Sequence, residues 1–393
     1  MKKRVIIRSG SLRMGGLERV LIEVLQTIDK KKYNISLVID DDCGEDDVFK
    51  KDIPQEIDYY FLKSEKLMKK LHFYRSKKSN IFYKGIYNFY LWYSKYIACK
   101  NMRKLVGNFG KIDVLIDFDA GATKYIDKIK ANKKIVWIHS SIPNLKKKRD
   151  KIERFGKRLE SYDKVVAICD EMKMELKKIY PNLKEKIMRV YNPFNFERIE
   201  KLSNDTVGLT HEEIRLLKDN YIIAVSRLDS VSKDFSTLLK AMKILKQKNI
   251  NKKLYIVGDG PSREEIEKEI KLLKLEKDIK LLGRKKNPYI WIKNSDFFIH
   301  SSKFEGFGLV LVEAGSLGKL VISSDCKVGP SEILEYGKSG ILFEVGNEKK
   351  LANILEEIIL KNKYKNLVEN MLKNIKKFNK STVLKEYEKL IDE

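Results

Sequence analysis

No stretch of this 393-residue chain reaches 18 uninterrupted apolar residues, and that absence excludes a membrane-spanning helix as a reading of the sequence. The opening, Met1 to Gly10, runs straight into a short apolar strand with neither the apolar core nor the cleavage site of a secretory leader, so a cytoplasmic protein is expected. Cysteine is scarce. Cys43, Cys99, Cys169 and Cys326 are scattered without paired spacing, which makes a disulfide framework or a zinc site an unsupported reading and predicts free thiols. Acidic side chains are outnumbered, 55 against 81 basic ones, and the net charge of +26 implies attraction to a polyanion. Nucleic acid, an anionic membrane and phosphorylated substrates are the three classes that answer to it. What is present, 43% hydrophobic and 35% charged residues, describes a folded soluble chain long enough for two domains with separate cores.

Short apolar runs alternate with longer mixed segments, and the pattern occurs twice. Strands are predicted near Val5–Arg8, Ile35–Ile39, Tyr59–Leu62, Val114–Phe118, Ile135–Ile138, Val165–Ile168 and Met188–Tyr191. A second set is predicted near Tyr221–Val225, Leu254–Val257, Ile279–Leu282, Phe297–His300, Leu320–Ser323 and Ile341–Phe343. Strand-like runs separated by helical patterns predict parallel sheets with right-handed crossovers, hence an α/β chain of two doubly wound, Rossmann-like domains. Such sheets bind ligands at the carboxyl ends of their strands, so two domains facing one another are expected to form a cleft. The polar stretch 195–220 is read as a linker, which gives residues 1–194 to the first domain and 195–381 to the linker and the second.

Within the second domain, Ser301–Val321 (SSKFEGFGLVLVEAGSLGKLV) follows a strand, passes through a glycine-bearing loop and opens a helix at Leu309. Gly306 and Gly308 let backbone approach a ligand closely. The free N–H groups of the first helical turn, at the positive end of the helix dipole, favour a phosphate there. Glu305 and Glu313 frame that anion site. Eight residues of helix would set them roughly 12 Å apart, less where the chain is loop, a span suited to opposite ends of a sugar-diphosphate-nucleoside. Carboxylates accept hydrogen bonds from vicinal hydroxyls, whereas they repel a diphosphate.

The E-x7-E spacing inside FEGFGLVLVE resembles the retaining glycosyltransferases of family 4, which have the two-domain GT-B fold. Other stretches carry the same resemblance. After the first strand comes Gly10–Arg19 (GSLRMGGLER), whose glycines open a helix but whose spacing is not G-x-G-x-x-G, which sets aside a nicotinamide or flavin enzyme. Gly15 and Gly16 look like the family's amino-terminal GG-x-E-R loop; a tight turn needing positive φ is the plain alternative. Trp137–Ser141 ends a strand with His139, which is either structural or the family's cleft histidine near the donor sugar. Val190–Pro193 resembles the exit into the second domain. Val225–Asp229 followed by Lys233 resembles the G-R-L…K-G element, with Ser226 and Asp234 where the family has glycines. A planar fork and a point charge, Arg227 and Lys233, are natural partners of a diphosphate. Leu282-Gly283-Arg284 resembles the loop that reads the nucleobase through its backbone, and Gly329–Leu334 resembles members acting in capsule, lipopolysaccharide or glycoprotein-glycan assembly. By the same resemblance the last helix, about 382–393, crosses back to the first domain.

The resemblance implies a retaining glycosyltransferase that moves a hexose or N-acetylhexosamine from a UDP-sugar to a glycan or lipid-linked acceptor. It implies that Glu305 and His139 are catalytic and that Gly15, Gly16, Arg227, Lys233, Arg284, Phe307, Gly308, Leu309 and Glu313 bind the donor. No metal, no other cofactor and no nucleic-acid partner are expected. Two rivals stand beside it: a UDP-sugar epimerase of the same fold, and a nucleic-acid-binding protein motivated by the charge alone. Asp117-Phe118-Asp119 is a D-x-D pair of the kind that holds a metal on a sugar nucleotide in another architecture, but it ends a first-domain strand and is set aside. The stretch 64–104 is rich in lysine and aromatics, with Phe82, Ile86, Phe89, Tyr90, Tyr93 and Ile97 on one predicted helical stripe and Lys84, Asn88 and Lys95 opposite. It either rests on an anionic bilayer, placing the protein at the inner face of the cell membrane, or packs on its own sheet.

Overall fold

The computed structural model describes residues 2–146, 148–361 and 364–393 and divides into two units, Met1–Phe194 with Lys380–Glu393, and Asn195–Asn379. Each predicted strand is present. The first unit holds β1 (Lys3–Ser9), β2 (Tyr33–Asp41), β3 (Asp58–Lys63), β4 (Val114–Asp117), β5 (Lys133–Ile138), β6 (Lys164–Ala167) and β7 (Ile187–Arg189). The second holds β8 (Tyr221–Val225), β9 (Lys253–Val257), β10 (Ile279–Gly283), β11 (Phe297–His300), β12 (Leu320–Ser324) and β13 (Ile341–Phe343).

The first sheet runs in the order β3-β2-β1-β4-β5-β6-β7, all parallel. Its central strands are covered by helices on both faces, so they read as continuous apolar runs rather than alternating ones; Val5, Ile6 and Ile7 are all fully buried. The order reverses between β1 and β4, where Arg8 lies level with Asp117. Helix α1 (Gly16–Thr27) buries Val20, Leu21, Val24 and Leu25 at helical spacing. The final helix, Lys380–Asp392, belongs to this unit: Tyr387 stacks on Trp137 at 4.8 Å between centroids, and Arg189 Nη1 donates to Glu386 at 3.1 Å.

Two further helices, α2 (Glu65–Ser76) and α3 (Ile81–Phe109), lie between β3 and β4. Here the alternative in which the predicted stripe packs on its own sheet is corrected. The face of α3 that is buried carries Ser94, Ala98, Met102 and Val106, while Phe82, Phe89 and Tyr93 of the expected stripe are exposed. Small side chains let the helix backbone come close to α2 and β3, and the bulky rings are turned outward or sideways as a result.

The second sheet runs β10-β9-β8-β11-β12-β13, again parallel, with its reversal between β8 and β11. Its core gathers Leu238, Leu239 and Met242 of the helix Phe235–Gln247 against Ile222, Ile256 and Ile299. Each such side chain contributes roughly 1.5–3 kcal/mol by leaving water. The stretch 195–220, read as a linker, opens the second unit. It holds the helices Phe196–Ser203 and His211–Leu216, started by Asn195, whose Oδ1 accepts from Arg198 N at 3.1 Å, and by a Thr210–Glu213 capping box. Polar residues there are helix caps and solvent faces.

Candidate active site

Ligands of doubly wound sheets bind where the strand order reverses, because the loops leaving the two central strands part there. In the second unit those loops follow β8 and β11. They carry Arg227 and Lys233 on one side and Glu305 to Gly308 on the other. The loops are stitched together by an antiparallel bridge between Lys233 and Ser302, and by Asp234 N donating to Ser301 O at 3.0 Å while Ser301 Oγ donates to Asp234 O at 2.8 Å. Asp234, which stands where the resembled family has glycine, caps the helix Phe235–Gln247, its Oδ2 accepting from Thr237 Oγ1 at 2.7 Å.

Glu305 is the centre of this arrangement. Its Oε1 takes Lys233 Nζ, His300 Nε2 at 2.7 Å and Ser302 Oγ at 2.8 Å, whereas Oε2 has no hydrogen-bond partner among the described residues. Glu305 and Lys233 side chains are each 13% exposed. Burial opposes ionisation, but Lys233 and His300 outweigh it and hold the carboxyl well below the usual carboxylate range. The reverse holds for His300: burial of the ring and the adjacent Lys233 push its pKa down and favour the neutral imidazole, whose tautomer with the proton on Nε2 is the one that donates to Glu305. His300 and Ser302 are absent from the site that the sequence predicts. A histidine at the carboxyl end of a strand beside the reversal point is the signal that would have found the first of them.

The helix Leu309–Ser316 starts at Gly308, which has φ of +92° and provides no side-chain cap to the first-turn N–H groups, of which Leu311 N already donates to Gly308 O at 2.9 Å. Close approach is enforced at Gly329, where a Cβ would come within 1.9 Å of Phe307 O. Glu313 lies one turn into the helix and accepts from Tyr289 Oη at 3.0 Å. Phe307 is a packing residue by its side chain, edge-on to Phe378 at 5.6 Å, and Leu309 is the first residue of the helix. Arg227 and Arg284 are exposed at the ends of β8 and β10. Of the donor-binding residues that the sequence predicts, Lys233 is the one whose side chain bonds Glu305.

The reversal point of the first unit is built from charge. Arg8 is 2% exposed, and its guanidinium takes Asp40 at 2.8 Å, Asp117 at 3.0 Å and Asp119. A buried arginine would be costly without such partners. Tyr162 Oη adds a hydrogen bond to Asp117 at 2.6 Å, and burial pushes the Asp117 carboxyl up to about 6, against the pull of Arg8. Both carboxylates of the D-x-D pair are therefore committed to a side-chain cation. Next to them, His139 packs on Phe118 at 5.0 Å; its Nε2 is buried without a partner among the described residues, and burial pushes its pKa down to about 4. Gly15 caps α1 with φ of −165°, an extended conformation, and Gly16 is not in the positive-φ region, so the tight-turn alternative for this pair is overturned. A side chain at Gly15 would instead collide with the Glu18 carboxylate.

Residues 210–378 match the family model of the glycosyl transferases group 1. An uncharacterized glycosyltransferase of Methanocaldococcus jannaschii is 30% identical over 260 residues, 58% of this chain and 63% of that one. The N-acetylgalactosamine-N,N'-diacetylbacillosaminyl-diphospho-undecaprenol 4-alpha-N-acetylgalactosaminyltransferase of Campylobacter jejuni is 32% identical over 219 residues, 54% of this chain and 57% of that one. The chain thus spans about three-fifths of the length of these curated relatives. Among solved structures, Anabaena HepE in complex with UDP and glucose superposes with a TM-score of 0.76 at 17% identity, covering 99% of each chain. The protein has the fold of the GT-B glycosyltransferases, and its residues 210–378 carry the group 1 glycosyl transferase pattern.

Proposed function

We propose that the chain is a retaining glycosyltransferase of family 4 that moves a hexose or N-acetylhexosamine from a UDP-sugar to a glycan or lipid-linked acceptor. Capsule, lipopolysaccharide and glycoprotein-glycan assembly at the inner face of the cell membrane are the settings it fits. The observation that carries this reading is the Glu305 carboxylate: ionised, at a strand-order reversal, with Oε1 held by three donors and Oε2 open. An anchored carboxylate of that kind orients a sugar hydroxyl and stabilises positive charge developing at the anomeric carbon.

In this reading the first turn of the helix Leu309–Ser316, Arg227 and Lys233 receive the diphosphate, and Glu313 binds ribose hydroxyls. The acceptor hydroxyl reaches the anomeric carbon on the face that UDP leaves. The sugar–phosphate bond breaks, the new glycosidic bond forms, and the departing phosphate oxygen takes the acceptor's proton, so no protein nucleophile is needed. His139 is proposed as the second catalytic residue, the role that the resemblance implies for it. Support comes from relatives whose names describe sugar transfer, and from the UDP and glucose bound by HepE. Thermal stabilisation by a panel of UDP-, GDP- and ADP-sugars, followed by product detection with the stabilising donor, tests it. Stabilisation by a UDP-sugar with transfer is expected; stabilisation by none of them would end the proposal.

A further inference from the structure

Between Glu65 and Asp113 the chain contains no acidic residue, although lysine, arginine and aromatic side chains recur throughout. This stretch is α2 and α3, and the structure leaves much of its apolar surface in solvent. Ile81 is 88% exposed, Phe82 70%, Phe89 57%, Trp92 61% and Tyr96 52%. Phe82, Phe89, Trp92 and Tyr96 recur at intervals of three, four and seven, which puts them on one side of α3, opposite the buried Ser94, Ala98 and Met102. The rings form a ladder along that side: Phe89 stacks on Tyr93 at 6.2 Å and Trp92 on Tyr96 at 6.0 Å. Lys100 and Arg103 continue the same side toward the carboxyl end of the helix.

Cations surround the ladder. Lys77 lies over the Phe73 ring at 4.4 Å and Lys70 over Tyr90 at 5.8 Å. Between α2 and α3 opens a cavity of about 450 Å³, walled by Leu67, Tyr90, Tyr93 and Ile97, with Lys66 and Lys70 in its lining. An apolar face this large, bare of carboxylates, repels a second copy of itself, which argues against a symmetric dimer. Its chemistry fits an interface in which one layer is anionic and the next is hydrocarbon: Trp and Tyr settle at such a boundary, and lysine stems reach back to the charged layer.

We propose that this side of α3, with the lysines of α2 and of the turn that follows it, docks the protein on an anionic phospholipid bilayer. The aromatic ladder enters the headgroup region and the lysines bind lipid phosphates. The inference deepens the membrane setting of the proposed transferase but does not depend on the sugar chemistry.

Trp92 is the reporter. The other two tryptophans, Trp137 and Trp291, are fully buried, so a change in emission on adding vesicles comes from Trp92. With vesicles of phosphatidylglycerol and phosphatidylcholine, co-sedimentation and a blue shift are expected, and pure phosphatidylcholine should bind about tenfold or more weakly. Phe89→Ser with Tyr96→Ser, both at exposed positions, should lower partitioning about tenfold, as should Lys77→Glu with Lys78→Glu. Retained partitioning in the serine pair, or sedimentation without a blue shift, overturns the proposal. So does concentration-dependent self-association abolished by the same serine pair, or binding to an acidic protein but not to vesicles. UDP-sugar stabilisation measured in parallel separates the two readings: vesicle binding without it sinks the transferase alone, and the opposite outcome sinks the docking surface alone.

Discussion

His300 Nε2 stands 2.7 Å from Glu305 Oε1, five residues along a single strand-to-loop turn. Burial and the neighbouring Lys233 both favour the neutral imidazole, the form that gives Glu305 a hydrogen bond without adding a second full charge beside Lys233. Glu305→Gln is expected to lower kcat by about 100-fold or more, as loss of a preorganised electrostatic group does, with an unchanged circular-dichroism spectrum. A variant with native turnover would remove Glu305 from the reaction.

Glu313→Gln is expected to raise KM for the nucleotide sugar several-fold and to leave kcat within about twofold, because ribose contacts persist from ground state to transition state. Tyr289→Phe, which removes the hydroxyl that Glu313 accepts from, should reproduce part of the KM effect. A fall in kcat at constant KM would assign Glu313 to the chemical step instead.

Acid should destabilise the first unit through His139. Its folded pKa is lowered to about 4 from an ordinary 6.5, so the unfolded chain takes up a proton first as pH falls. The neutral ring's contribution is full above about pH 6.5 and is lost on descending toward about pH 4, by about 3 kcal/mol in all. Asp117, raised to about 6, has the opposite sign and gains stability for the fold over part of that range. Urea titrations of the native chain and His139→Gln at pH 7 and pH 4.5 isolate the histidine by difference. Equal pH slopes in the two proteins would contradict the assignment.

Sugar transfer should survive EDTA, since the D-x-D carboxylates already hold Arg8. Asp119→Ala is expected to lower thermal stability by about 1–3 kcal/mol through the under-paired arginine, without creating a metal requirement. Activity lost to EDTA and restored by Mn²⁺ would overturn the metal-free donor site.

Asp234→Ala should cost about 1 kcal/mol of stability and Asp234→Gly only a few tenths, the pattern of an N-cap. Equal losses in thermal unfolding would mean that the aspartate matters for something other than capping.

The strands are readable in the sequence because parallel strands covered on both faces leave apolar runs that survive any choice of side chain; Glu305 and Gly308 sit in a loop whose glycines mark it, and Glu313 in the helix that this loop opens. The register of α3 is not. Its rings occur on nearly every side, so periodicity cannot say which side meets β3; the decision falls to Ser94 and Ala98, whose smallness matters only against a neighbour. Arg8 looks, in so basic a chain, like one more surface cation. An arginine that closes the buried apolar run Val5–Ile7 is nevertheless a demand for carboxylates, and Asp40 and Asp117 lie at the carboxyl ends of the strands on either side of it. His300 reads as the last residue of a buried strand, and its ring reaches past that strand to Glu305.

The Lys233–Glu305 pair also bears on what the site refuses. A cation already neutralised from within is poor bait for the small anions that fill a cell. Inorganic phosphate can compete for the lysine, yet it has few hydroxyls to offer the carboxylate it displaces. For the proposed donor the exchange is even-handed: phosphate oxygens take the ammonium while sugar hydroxyls take the carboxylate. Selection against bystanders would then begin before any bond is broken, set by an ion pair that only a two-faced ligand can open without loss.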